Sequence, residues 1–187
     1  LAGARTASDR IAGFRVRLLM LLGRNRLAEA VALAKDLLRL LGIDLSPRTR
    51  THQDLAAIAR IKWRLRGHSA ESLAALPRMT DPNALMALEI MSSVLTSTFM
   101  AEPRFFPVLI AEMLRLTLDR GAAIVSPEVV ALCGMLSMAA LRDLEDARRL
   151  VDAAHAMIEP CDALHKRHRV LMVEAIFVSP WTRPLHE

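Results

Sequence analysis

Residues 23–45 read GRNRLAEAVALAKDLLRLLGIDL, and this stretch decides the fold. Its apolar positions are Leu27, Ala30, Val31, Ala34, Leu37, Leu38 and Leu41. Steps of three and four put them on one stripe of an α-helix. Asn25 is placed to cap the start of that helix, and Gly42 to close it in the left-handed conformation. In residues 11–22, Ile11, Phe14, Leu18, Leu21 and Leu22 repeat the spacing. Only Gly23, Arg24 and Asn25 separate the two segments, so the pattern predicts an antiparallel helical hairpin.

The pattern recurs downstream. Aligned with residues 141–158, LRDLEDARRLVDAAHAMI, Leu27 falls on Leu144, Glu29 on Asp146 and Ala30 on Ala147. A small Ala three residues after Leu, just past a tight turn, lets a neighbouring helix approach closely. Tetratricopeptide-type (TPR) hairpins use small residues in this way, one helix pair per repeat of about 34 residues. The first helix lacks the usual Trp and Tyr positions, so the pattern is TPR-like and not a strict TPR. Asp81 followed by Pro82, and Ser126 followed by Pro127, read as further helix starts. Other helices are expected after Pro107 as far as Gly121, in the segment stopped by Pro77, over 51–65 and over 160–178. No strand or βαβ pattern appears. Residues 1–187 are therefore expected to form a single all-α domain. Its architecture is expected to be an α-α superhelix, a TPR-like solenoid of about eight antiparallel helices, each pair needing neighbours to bury its apolar face.

Composition agrees with that reading. Hydrophobic residues make up 53% of the 187 and charged ones only 24%, which excludes a disordered chain. Tyr is absent and aromatics are 4%, a usage that favours helices over strands. Charges break the longest apolar runs well short of the ~20 residues a membrane span needs. No signal-peptide pattern opens the chain, and a cytoplasmic location is expected. The first residue is Leu1, so a piece of a longer polypeptide is expected. Cys133 and Cys161 are too few for a disulfide framework and suit a reducing compartment. The net charge of +5 is spread along the sequence, which fits a solvated surface better than a nucleic-acid footprint.

Two constellations invite a sharper reading. In RIKWRLRG, residues 60–67, basic Arg60, Lys62, Arg64 and Arg66 alternate with Ile61, Trp63 and Leu65. As a strand this would offer a basic face with Trp63 free to stack on a base. The helical context scatters the charges instead, with Ile61 and Leu65 facing inward and cations near a helix C-terminus. His155, Cys161, His165 and His168 cluster near the end and could meet a thiophilic metal if they shared one helix face. Without a second Cys or a close carboxylate, surface histidines beside a buried Cys are the plainer reading. The glycines never approach phosphate-loop spacing, and no kinase or hydrolase motif is present. Met86, Met91, Met100, Met113, Met135 and Met138 are expected as core filler, although methionines also line adaptable grooves. No catalytic, cofactor-binding or metal-ligating residue, and no cofactor, is assigned.

Four pieces of the sequence together resemble the helical-repeat region of large bacterial signalling fusions. They are EAVALAKDLLRLLGIDL (29–45), SAESLAALPRMTDPNALMALEIMSSV (69–94), PRFFPVLIAEMLRLTLDRG (103–121) and FVSPWTRPLHE (177–187). In that family a Ser/Thr kinase domain and an AAA-type ATPase come first. A helical array follows, often with a GAF domain and a sensor histidine kinase or cyclase after it. Residues 123–147, AIVSPEVVALCGMLSMAALRDLEDA, depart from the family's Tyr- and Gly-richer stretch. The resemblance implies a non-catalytic scaffold that couples ATPase and output domains, and it carries over no catalytic residue. The alternative is a sensing module that binds a small inducer on the concave face. Expected partners are another protein or neighbouring domains of the same polypeptide, with self-association at the exposed ends. Neither nucleic acid nor membrane is expected.

Overall fold

The computed structural model describes residues 7–45 and 52–181; of residues 7–12, 14 and 15 it describes the backbone only. The expected inward positions Ile11 and Phe14 therefore lie outside the described side chains, as does the expected helix start at Thr51. The protein is all-α. Its helices are α1 (Ala7–Gly23), α2 (Leu27–Leu40), α3 (Gln53–Leu65), α4 (Ala70–Ala74) and α5 (Pro82–Ser93). They continue with α6 (Leu95–Ala101), α7 (Phe106–Arg120), α8 (Ser126–Leu141), α9 (Leu144–Ala156) and α10 (Arg167–Val173). A 3₁₀ turn (Leu164–Lys166) precedes α10; a π-helical turn (Glu174–Val178) and a second 3₁₀ turn (Ser179–Trp181) follow it.

The stripe in α2 buries Ala30, Val31, Leu33, Ala34, Leu37 and Leu38. Gly42, at φ +78°, closes the helix. The Ile43 N–H donates to the Leu38 carbonyl at 2.9 Å and the Gly42 N–H to that of Arg39 at 3.0 Å, a Schellman closure. Asn25 does not cap α2. It takes a left-handed turn conformation at φ 56°, and Arg26 occupies the capping position with no side-chain cap. Arg26 instead pairs with Glu29 one turn on. Asp81 caps α5 as expected, accepting from the Asn83 N–H at 3.0 Å. Ser126 does not cap α8: its Oγ accepts from the Ala123 N–H at 2.9 Å and meets Thr117 Oγ1 at 3.0 Å. The hydroxyl ties the α7–α8 loop together and leaves the helix start to Pro127.

Among the described residues ten α-helices stand where about eight were expected, and the added breaks have local causes. Ser93 Oγ donates back to the Ile90 carbonyl at 2.7 Å, a contact that competes with the helical ladder. The chain breaks at Val94, and α6 leaves α5 at 48°. The helix expected over 160–178 is likewise interrupted. Asp162 turns left-handed at φ 56°, and the chain resumes through the 3₁₀ turn into α10 and the π turn. Among the described residues no single helix is long and apolar enough to cross a membrane.

Packing follows hairpin order in part. Helices α1 and α2 pair, as do α8 and α9, and α7 lies against α8. Other pairings cross the sequence: α3 packs on α7 and α8, and α4 on α9. Gly121 anchors one of these crossings at φ +104°. An added Cβ there would stand 2.4 Å from the Pro77 carbonyl oxygen, so only glycine fits. That carbonyl accepts from the Ala122 N–H at 2.7 Å, and the Met79 N–H donates to the Ala122 carbonyl at 2.8 Å. The result is an isolated parallel bridge that staples the loop after α4 to the loop after α7. At the centre lies α8, in which every residue from Ser126 to Ser137 is buried. A helix apolar all round must be covered all round, and α3, α7, α9, α10 and the π turn cover this one.

Candidate functional site

Helix α3 carries two stripes. Ala57, Ile58, Ile61 and Leu65 face the core. Leu55, Ala59 and Trp63, spaced by four, face outward, and Trp63 is 72% exposed. Beside that outer stripe, the end of α8 and the start of α9 supply Leu141, Asp146 and Arg149. Together they form an open cleft of about 690 Å³, apolar along its floor and charged along its edges.

Ion pairs hold the cleft in shape. Asp143 caps α9, accepting from the Asp146 N–H at 3.1 Å, and also receives Lys62 Nζ from α3 at 2.6 Å. The hydrogen bond to Asp143 raises the Lys62 ammonium above its ordinary range; the same bond, with that from the Asp146 N–H, holds Asp143 below the usual carboxylate range. Arg149 Nη2 donates to Asp146 at 2.6 Å, and its Nη1 reaches back to the His68 carbonyl at 2.6 Å. Ser137 Oγ donates to the other Asp146 oxygen at 2.8 Å. Arg64 pairs with Asp119 of α7. Each helix bordering the cleft is thus tied to another by a charged hydrogen bond, which fixes the walls. Among the described residues, Arg60 and Arg66 meet no acidic partner.

The alternating run RIKWRLRG is therefore helical as far as Leu65, with Ile61 and Leu65 buried, as the sequence predicts. Its cations leave in different directions: Lys62 to Asp143, Arg64 to Asp119, Arg66 to the cleft edge. The His/Cys constellation is not brought together. His155 Nε2 meets Glu174 Oε2 at 2.8 Å, Cys161 is buried, and His165 and His168 are exposed. Among the described residues no group of three His, Cys, Asp or Glu side chains is placed to share a metal ion. Burial pushes both thiols, Cys133 and Cys161, above their ordinary range, which disfavours the thiolate. Of the methionines, Met91 and Met113 are core, Met100 is exposed, and Met135 and Met138 line a second cleft beside the π turn.

Sequence reasoning missed two features. The outer stripe Leu55, Ala59, Trp63 was legible in its i, i+4, i+8 spacing, but the basic alternation through the same residues masked it. The buried pair of Glu128 and Arg169 left no local signal, because 41 residues separate its partners. Comparisons with protein-family models, curated proteins and solved structures find no match for this chain.

Proposed function

We propose that this chain is a non-catalytic interaction module that docks an acidic, amphipathic helix of a protein partner or a neighbouring domain. In the setting the resemblance implies, it couples the ATPase and the kinase or output domains of a cytoplasmic bacterial signalling protein. The hairpins α1–α2 and α8–α9, which share one sequence pattern, are units of a TPR-like superhelix. The pairings α3–α7 and α4–α9 close it locally.

The observation that carries the reading is the cleft beside Trp63. A large exposed aromatic in a pre-shaped apolar groove is the kind of anchor that dominates helix-in-groove recognition. Charge selects the occupant. Of the cations that border the groove, Lys62 is paired with Asp143 and Arg149 with Asp146. Arg66 meets no acidic partner among the described residues and so leaves the edge net positive. An acidic helix complements that edge and a basic one is repelled. The face of α1 that exposes Val16, Leu19 and Met20 adds self-association to the proposal, to be read by sedimentation.

The test is a calorimetric titration with a synthetic amphipathic helix bearing Leu at i, i+4 and i+7 and Glu on its flanks. Micromolar binding is expected, and Trp63→Ala should weaken it by roughly 30-fold, about 2 kcal/mol. Equal binding of the Lys-flanked counterpart, or indifference to Trp63→Ala, would refute the assignment.

A further inference from the structure

A third cavity, of about 190 Å³, lies between α6, α8, α10 and the π turn. Its wall is apolar, with Leu95, Phe99, Leu132 and Met172 among its residues, yet it includes one charged pair, Glu128 and Arg169. Glu128 sits in the first turn of α8 and is only 5% exposed. Its Oε1 accepts from Arg169 Nη1 at 3.2 Å, and its Oε2 meets Ser92 Oγ at 3.5 Å, the outer limit of a hydrogen bond. Sinking a carboxylate here carries a desolvation cost that an apolar residue of the same size would avoid.

The pair is also unbalanced. Arg169 uses one Nη1 donor on Glu128, and among the described residues nothing else accepts from its Nε or Nη2. Lys166, one turn earlier, adds a second positive charge felt at Glu128 and has no acidic partner among the described residues. One carboxylate thus stands against two cations, leaving an excess positive charge beside an apolar cavity. The backbone there departs from the α form. The π turn Glu174–Val178 places Ile176 and Phe177 in the wall, and π turns recur at functional sites. Ile176, Phe177 and Met135 also line the adjoining cleft of about 430 Å³, with Trp181 and one cation, Arg142, in the same lining. The smaller cavity is below the roughly 300–1,000 Å³ of sites for drug-sized molecules. It shares Met135, Ile176 and Phe177 with the lining of its neighbour, so a ligand that parts these side chains gains length in place of width.

We infer that these neighbouring cavities together bind a small anionic amphiphile, its carboxylate on the free guanidinium edge of Arg169 and its unbranched apolar tail along Met135, Ile176 and Phe177 towards Trp181. A fixed guanidinium matches a planar carboxylate through paired donors. Methionines and a π turn adapt the wall to a flexible chain. A cationic head would have to displace Arg169 from Glu128 and strand it beside Lys166. This site is separate from the docking cleft and stands or falls independently of it.

The experiment uses the full chain carrying Trp63→Phe, so that Trp181 is the sole tryptophan. Decanoate, decanol and decylammonium are titrated against its fluorescence. Decanoate should give a saturable change and bind about tenfold more tightly than decanol, as expected for a charge-assisted pair of hydrogen bonds. Decylammonium should bind weakest. Arg169→Met should bring decanoate down to the affinity of decanol while leaving decanol unchanged. The ranking on the unaltered pocket decides the matter even if that variant folds poorly. Absence of saturable binding for all three, or decanol or decylammonium binding as tightly as decanoate, overturns the inference.

Discussion

The hairpins α1–α2 and α8–α9 begin from nearly the same sequence pattern and end in different environments. In both, the Leu after the turn is half-buried and the Ala three residues later is fully buried: Ala30 in one, Ala147 in the other. Their first helices differ. Helix α8 is enclosed over three turns, whereas α1 leaves Val16, Leu19 and Met20 more than half exposed. Turn chemistry and small residues specify the hairpin locally; what covers its outer face is decided by elements far away in sequence. Exposed apolar surface appears where that cover ends.

The comparison breaks most easily at α8. An added Cβ at Gly134 would lie 2.9 Å from the Ala147 carbonyl oxygen and 3.3 Å from Leu150 Cβ. A backbone oxygen cannot move aside, so Gly134→Val should cost about 3 kcal/mol or more in urea unfolding. A loss under about 1 kcal/mol would show that the α8–α9 crossing is looser than described.

Next come the equivalent alanines. Ala147→Leu and Ala30→Leu should each cost about 1–3 kcal/mol by overpacking. Ala147→Leu should cost more, since α8 is hemmed in while α1 is free on its outer side to yield. Equal melts for the wild type and Ala30→Leu would undo the alignment of the two hairpins.

Glu128 sharpens the contrast by pH. Burial, outweighing the attraction of Arg169 and Lys166, holds its carboxyl above the ordinary range. A raised folded pKa means that the fold binds the proton more tightly than the unfolded chain does. Stability from this group is therefore fullest below the unfolded pKa and is lost as pH rises through the folded one. Glu128→Gln should flatten that fall, seen as a smaller drop in Tm from mildly acidic to neutral pH. A steeper drop in the variant would contradict the assignment. The smallest effect belongs to α1: Leu19→Gln should change stability by less than about 0.5 kcal/mol.

Much of the architecture was legible where its cause is local. The stripe of α2, Gly42 and the Asp81–Pro82 start follow from spacing, capping and φ preference within a few residues. Asn25 and Ser126 misled because a polar side chain beside a helix start has competing uses, and tertiary neighbours chose among them. Thr117 and the Ala123 N–H claimed the hydroxyl of Ser126. The last helix could not be foreseen to change from 3₁₀ to α to π, since no Pro or Gly marks those changes. Of the cleft, Trp63 could be named from sequence; its partners Leu141 and Arg149, and the Lys62–Asp143 tie, depend on α3 lying against the α8–α9 turn.

The docking reading is tested most directly by the fluorescence of Trp63 in a Trp181→Phe chain, where it is the sole reporter. On titration with the Glu-flanked amphipathic helix, the emission of this exposed indole should shift to shorter wavelength and saturate. The Lys-flanked helix should leave it unchanged. Calorimetric binding of the acidic helix with no change at Trp63, or the same shift with both helices, would contradict the account.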